Sequence, residues 1–325
     1  ILQALHIKAD YGISLTKYNL NTRVTATTTG NIEEKGQILI PALTLKLLKN
    51  IKKGNNITIE NDKLIIDNKV IKFKETDVTS YPEIKTYATN EHFQISSTEL
   101  SRMLTCQYAV ATDMSRSILQ GINIKGNKFA ACNGYILSVR KSREFESNLN
   151  ITMHQDTFKL IDKIINKKSD NKITVYTDEE NKYIRFSWLN IEVEGRLIEG
   201  EYIKFEQLIP DISDSKTNLY VTDKELQDKL KLFNSLSSDK KYVKMNIENG
   251  MVNMSSSDIE NTIEDNIECI INGDSMTIAF NNEYLISSTK LYTDEFRVFL
   301  YSPVQGIIIT QDEDNLEFVL PVRIN

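Results

Sequence analysis

"KLLKNIKKGNNITIENDKLII" (Lys46–Ile66) and "KLIDKIINKKSDNKITVYTDEENKYIRF" (Lys159–Phe186) follow one pattern. Each opens with leucine and isoleucine at helical spacing, with lysines between them. Each then passes through a polar, lysine-rich stop and ends in two strands of alternating character. A third version runs through "FNNEYLISSTKLYTDEFRVFLYSPVQGIIITQDEDNLEFVLPV" (Phe280–Val322), where a helical pattern leads into "FRVFLY", "GIIIT" and "LEFVLPV". Self-similarity at this spacing points to a repeated structural unit.

Outward from these stretches the repetition continues. "LHIKADYGISLTKYNLNTRVTATT", "INIKGNKFAACNGYILSVRK" and "MNIENGMVNMSSSDIENTIEDNIEC" precede the three segments, and each reads as strand, Gly/Asn turn, strand, strand. The second and third copies also carry an earlier helix. Ser96 with Glu99, and Thr222 with Glu225, stand at capping-box spacing before them. The first copy lacks that helix, and the chain does not begin with Met, so a missing N-terminal piece is expected. The predicted unit is a helix with about three strands, written twice. This gives an α+β fold of three repeated domains, 1–88, 89–213 and 214–325, divided at the polar connectors "KTYATNEH" and "DISDSKTN". A unit of this kind buries its sheet only under its own helices.

The chain has 325 residues, 40% of them hydrophobic and 26% charged, the balance of a globular protein. No apolar run is long enough to cross a membrane, and no signal peptide is legible. Cys106, Cys132 and Cys269 are odd in number and far apart, which speaks against a disulfide framework or zinc site and for a reducing cytoplasm. Net charge is −6, yet the predicted helices at 41–53, 97–112, 153–168, 222–241 and 281–294 together carry +6, leaving −12 on everything else. On helical wheels Leu43, Leu47 and Ile51 form one face and Lys46, Lys49 and Lys53 another; Ile161, Ile164 and Ile165 stand opposite Lys159, Lys163 and Lys167. One lysine-rich helix face is ordinarily just solvated. Its recurrence in equivalent helices points to a shared cationic surface suited to phosphates and blind to base sequence.

Catalytic signatures are missing. His6, His92 and His154 stand alone, and there is no HExxH, CxxC, GxSxG or GxxxxGK. The acidic "QDEDNLE" (Gln311–Glu317) reads as a hairpin turn and Trp188 as a packed strand residue. No metal or cofactor is expected, and an enzyme with scattered catalytic residues would need a pocket of strongly shifted titratable groups.

"QYAVATDMSRSILQGINI" (Gln107–Ile124), "ACNGYILSV" (Ala131–Val139), "GRLIEGEYIKFEQLIP" (Gly195–Pro210), "FNNEYL" (Phe280–Leu285) and "LPVRI" (Leu320–Ile324), together with the triple repeat, resemble the bacterial DNA polymerase III beta subunit, the beta sliding clamp. The resemblance covers nearly the whole chain. It implies a head-to-tail homodimeric ring of clamp domains, with strands outside and helices lining a hole around double-stranded DNA. It implies a non-enzymatic DNA replication processivity factor that tethers DNA polymerase III through its alpha subunit, is opened by the clamp loader complex, and binds other clamp-motif proteins. It places the protein in the bacterial cytoplasm, on the nucleoid during replication. A repeat scaffold that binds proteins without encircling DNA is the alternative.

The resemblance also implies a partner-peptide pocket. Its walls would be Leu119, Cys132, Gly134, Tyr135, Ile136, Leu137, Ile203, Gln207, Leu208, Asn281, Tyr284, Val304, Phe318, Leu320, Pro321, Val322, Arg323 and Ile324, with Asn281, Arg323 and the Tyr284 hydroxyl as polar orienters. Where the family often has Asp-Gly-His-Arg-Leu this chain has Asn133-Gly134-Tyr135-Ile136-Leu137, and Gln207 stands where an Arg is common, so a more apolar pocket is expected. DNA contacts are expected from Lys46, Lys49, Lys53, Arg116, Lys159, Lys163 and Lys167.

Overall fold

The computed structural model describes residues 2–48, 54, 56–74, 76–113, 115–236, 242–248 and 250–324. The first stretch runs β1 (Leu5–Ala9), β2 (Ile13–Tyr18), β3 (Thr22–Thr28), β4 (Gly36–Ile40), α1 (Ala42–Leu47), β5 (Ile57–Glu60), β6 (Lys63–Ile66) and β7 (Lys69–Lys72). The second runs β8 (Asn90–Ser96), α2 (Ser97–Met103), β9 (Gly121–Lys125), β10 (Lys128–Cys132), β11 (Ile136–Lys141), β12 (Asn150–His154), α3 (Gln155–Ile164), β13 (Lys172–Thr177), β14 (Tyr183–Trp188) and β15 (Ile191–Ile198). The third runs β16 (Thr217–Thr222), α4 (Asp223–Phe233), β17 (Tyr242–Glu248), β18 (Met251–Ser257), β19 (Thr262–Glu268), β20 (Ile270–Gly273), β21 (Met276–Asn281), α5 (Asn282–Thr289), β22 (Glu295–Leu300), β23 (Ile307–Thr310) and β24 (Asn315–Val319). Strand, helix, three strands, then the same again, is the order of both the second and third stretches, with the short β20 added in the third. The first enters at its three strands.

The chain divides into two compact units, Ile1–Thr98 with Met153–Leu197, and Glu99–Thr152 with Ile198–Asn325. In the first unit one antiparallel sheet runs β4-β1-β2-β3-β15-β14-β13-β8, and β5-β6-β7 form a separate three-stranded sheet. In the second unit the order is β9-β10-β11-β24-β23-β22-β16-β20, beside a four-stranded sheet β19-β18-β17-β21. The two long sheets are built alike: the third strand of one stretch pairs with the last strand of the next, β3 with β15 and β11 with β24. This pairing is why compactness groups the second stretch's halves with different neighbours.

The first of these seams is pinned by a buried ion pair. Arg23 Nη2 lies 3.2 Å from Glu194 Oε1, both side chains almost fully buried. Arg23 also donates to Lys85 O and Thr86 Oγ1, at 2.8 and 3.0 Å. The second Glu194 oxygen accepts the Tyr87 and Ala88 backbone N–H groups, both at 3.0 Å. The pair therefore ties the connector before β8 to the β3–β15 seam and satisfies its buried backbone groups.

The helices depart from expectation in several places, and α3, α4 and α5 are each shorter than the spans 153–168, 222–241 and 281–294. In α1 the buried residue is Thr44, with Leu45 and Leu48 packed on the Ile7/Ile40/Leu64/Phe73 core. Leu43 and Leu47, expected inside, are 74% and 58% exposed. Pro41 sets the start of this six-residue helix, and so short a helix shows only one narrow face to the core. Ile51, Lys49 and Lys53 lie outside the described residues. The helix expected at 97–112 is α-helical only to Met103 and continues as a 3-10 turn, Leu104–Ala109. Thr222 occupies the N-cap of α4 without a side-chain cap bond. α3 follows its wheel: Ile161 and Ile165 are buried and Ile164 is half-buried. His154 caps α3 by accepting the Asp156 N–H at 3.2 Å. In the third stretch α4 and α5 are cross-linked reciprocally, Gln227 donating to Ile286 O at 3.0 Å and Asn282 to Leu230 O at 2.9 Å.

Candidate functional site

The expected peptide-pocket residues all fall in the second unit, around the β11–β24 seam. Leu137 stands opposite Phe318 and Val139 opposite Leu316 in antiparallel register. Side chains alternate along strands, so these four share a face. They meet Leu119, Cys132, Tyr202 and Phe205 in one apolar cluster, with Ile118, Ile203 and Ile209 packed at its margin. Ile209, Leu316 and Phe318 also border a second cluster of Phe299, Tyr301 and Ile308. The tip of the Phe318 ring closes on Gly306, leaving no room there for an added Cβ. Around this floor Tyr135, Leu208, Val304, Leu320 and Ile324 remain exposed, Val304 by 67% and Tyr135 by 59%. An apolar floor, buried except for the half-buried Leu316 and Phe318 and ringed by exposed apolar side chains, is the form of a groove for hydrophobic anchors.

The turn before β11 shapes one lip. Asn133 Oδ1 accepts the N–H groups of Tyr135 and Ile136, both at 2.9 Å, and Gly134 takes φ +95°, a conformation that favours glycine. Tyr135 thereby stacks on Tyr284, ring centroids 5.7 Å apart. Its carbonyl accepts the Leu320 N–H at 2.9 Å, while Val322 N–H donates to Ala279 O at 2.7 Å. The C-terminal "LPVR" is thus laid along the groove.

Two expected residues are placed otherwise. Ile136 alternates with Leu137 and pairs with the buried Val319, so it faces away from the groove floor. Asn281 Oδ1 is engaged as the N-cap of α5, accepting the Tyr284 N–H at 3.3 Å, and so is not a free orienter through that oxygen. Pro321 and Val322 are half-buried; Arg323 and Gln207 are exposed. Burial raises the Cys132 thiol above its ordinary value, which makes it an apolar wall and not a nucleophile. Burial also works to raise the Glu206 carboxyl, but Lys125, 2.9 Å away, outweighs it and holds the group below its ordinary value. Sequence reasoning missed Tyr202, Phe205, Ile209 and Leu316. Their signal was present in "EYIKFEQLIP" and "NLEFVLP", as apolar positions alternating with ones already chosen.

Behind the groove floor the same seam holds a buried polar network. Arg140 Nη2 lies 2.5 Å from Glu317 Oε1, with the two side chains 2% and 0% exposed. Tyr108 donates to the other Glu317 oxygen, and Arg140 Nε donates to Thr105 Oγ1 at 2.8 Å. Burial works against the Arg140 charge, yet Glu317 outweighs it and holds its pKa above the ordinary value. Burial raises the Glu317 carboxyl, with Arg140, Tyr108 and Ser138 all acting to lower it. A neutral Glu317 would strand a buried guanidinium, so the pair is ionised at neutral pH. Burial pushes the neighbouring Cys106 thiol up to about 12.

Of the expected DNA-contact residues, Lys46, Arg116, Lys159, Lys163 and Lys167 are exposed. Lys159 reaches Gln155 Oε1 at 2.8 Å, and Lys167 reaches Asp162 at 2.7 Å. Arg116 opens the short turn Ser117–Gln120. Among the described residues no group of three His, Cys, Asp or Glu is placed to hold a metal ion, and no helix is long and apolar enough to cross a membrane.

Residues 206–323 match the family described as DNA polymerase III beta subunit, C-terminal domain. Beyond that domain, the chain is similar to beta sliding clamps along most of its length. The beta sliding clamp of Synechococcus elongatus is 23% identical over 95% of this chain and 88% of its own length. That of Streptococcus pneumoniae is 27% identical over 78% and 70%. Among solved structures, the sliding clamp of Bartonella birtlesii bound to griselimycin superimposes with a TM-score of 0.91, at 21% identity, over 99% of this chain and 92% of that one. The fold is therefore an α+β clamp fold, as the resemblance implies.

Proposed function

We propose that this clamp is a DNA replication processivity factor: a non-catalytic ring that encircles duplex DNA and tethers DNA polymerase III and other proteins through the β11–β24 groove. The observation that carries it is the pairing rule. Third strands pair with the last strand of the next repeat, in β3–β15 and β11–β24. The third strand left over is β19, and the last strand left over is β7. Among the described residues each ends its own sheet with one edge open. β19 carries Glu264, Asp265 and Glu268, whereas β7 carries Lys69 and Lys72. Opposite charge on two edges that no strand of the same sheet covers suits pairing between two chains, head to tail. Two chains of three repeats, 1–88, 89–213 and 214–325, would close in this way, with α1, α3 and the turn after α3 supplying Lys46, Lys159, Lys163 and Lys167 to phosphates.

On this reading sequence-independent DNA binding is loose and salt-dependent, and the gain to the polymerase is effective concentration. The polymerase alpha subunit and other clamp-motif proteins occupy the groove, a clamp loader complex opens the seam, and the site of work is the cytoplasm, on the nucleoid. A protein-binding scaffold without DNA has less support, because it leaves the open β7 and β19 edges unexplained. The test is retention on DNA. After loading, the protein stays on a closed circle and runs off once the circle is cut. Equal loss from both, or a monomer by light scattering at all concentrations, overturns the reading.

A further inference from the structure

The buried network behind the groove has a use that packing alone does not require. On β11, Leu137 and Val139 face the groove and Ile136, Ser138 and Arg140 face inward; on β24, Leu316 and Phe318 face the groove and Glu317 and Val319 face inward. The groove face is apolar, and the inward face is buried too, with Ile136 and Val319 flanking the polar Ser138, Arg140 and Glu317. A slip of β24 by one residue would exchange Phe318 for Val319 at small hydrophobic cost, so the apolar pattern specifies register weakly here. Glu317 specifies it strongly. In the observed register it stands opposite Ser138 and meets both Arg140 and the Tyr108 hydroxyl. In a slipped register a carboxylate would face the apolar groove floor and a guanidinium would be left buried without a counter-ion. Tyr108 comes from the 3-10 turn Leu104–Ala109 and also reaches Ser288 Oγ of α5 at 3.4 Å. One carboxylate therefore takes its partners from separate elements. The tail downstream of β24 inherits its position from this register, since Leu320 bonds to Tyr135 O and Val322 to Ala279 O.

We propose that Arg140, Glu317 and Tyr108 are positioning residues that pin the β11–β24 register, and so set where Phe318 and Leu320 stand for a bound partner peptide. This rests on the reading of the groove as the partner site. The pin acts on recognition more than on stability, because replacing a buried ion pair by apolar groups of similar volume is often neutral for folding.

The experiment uses the full chain and griselimycin, the compound bound in the Bartonella structure, as calorimetric probe. Arg140→Met with Glu317→Leu is compared with wild type and with Phe318→Ala, which removes a floor side chain directly. The double variant is expected to melt near wild type, to bind griselimycin about tenfold more weakly, and to exchange the Leu320 and Val322 amide hydrogens faster. Wild-type affinity within about twofold in the double variant, while Phe318→Ala loses binding, overturns the pin and leaves the groove reading standing. No binding by wild type overturns the groove reading and the pin with it. Should the double variant fail to fold, Tyr108→Phe carries the test: it removes one bond to Glu317 at almost constant volume, and unchanged affinity and amide exchange overturn the proposal.

Discussion

Replacing Glu194 by alanine tests whether the first seam is held by its buried charge. The substitution leaves Arg23, 5% exposed, without its counter-ion, and the Tyr87 and Ala88 N–H groups without their acceptor. Breaking one side of a buried pair costs about 3–5 kcal/mol. Each orphaned N–H adds about 1–3 kcal/mol unless water reaches it. A small cleft lined by Tyr18, Asn21, Tyr87 and Tyr183 adjoins the pair and admits some hydration, and Arg23 keeps its bonds to Lys85 and Thr86. The expected loss is therefore about 3–5 kcal/mol, not the larger sum. Trp188, the sole tryptophan, lies in β14 of the same unit and is 4% exposed, so its fluorescence in urea follows this unit's unfolding. Arg23→Met with Glu194→Leu removes both charges together and is expected to cost less than Glu194→Ala alone, although Tyr87 and Ala88 lose their acceptor in both. A loss below about 1 kcal/mol for Glu194→Ala, or a double variant less stable than the single, refutes the argument.

Leu189 sits in the β14–β15 turn at φ 50° and is 80% exposed; Leu189→Gly removes left-handed strain and should raise stability by about 0.5–1 kcal/mol in the same urea assay. Burial lowers the His92 imidazole below 6.5, beside Thr177 Oγ1 at 2.8 Å. Because the folded pKa is depressed, its stabilisation is complete above pH 6.5 and is lost as pH falls through the folded value, which a proton NMR titration locates. Gly306→Ala places a methyl against the Phe318 ring and should cost about 1–3 kcal/mol by overpacking. It should also weaken griselimycin binding, and undisturbed binding would mean that the ring can move without consequence.

What was legible in the sequence was periodic. β9–β11 and β17–β19 announced themselves by alternation between Gly/Asn turns, and the copies of that pattern led to the fold. The groove floor was half legible, because Leu137 and Ile136 are equally apolar and only the register with β24 shows which faces the groove. The α1 wheel failed because six residues make too short an arc for periodicity to locate the core side. The buried networks were invisible. Glu317 read as the end of the hairpin turn Gln311–Glu317, whereas it lies buried in β24 and pairs with Arg140, 177 residues away. Arg23 and Glu194 are likewise far apart in the sequence, and no local pattern links them.

The strand exchange between neighbouring repeats also bears on dissection of the molecule. A fragment cut at the boundaries expected from the sequence, residues 89–213 alone, would carry β11 and β15 stripped of β24 and β3. Such a piece presents two long strand borders with unfilled hydrogen-bonding groups, and its buried Arg140 and Glu194 lose their partners, which invites aggregation. Expression of single repeats should therefore give insoluble material. The severing points that leave soluble pieces would follow the compact units instead, and those are interleaved along the gene, so no single cut separates them.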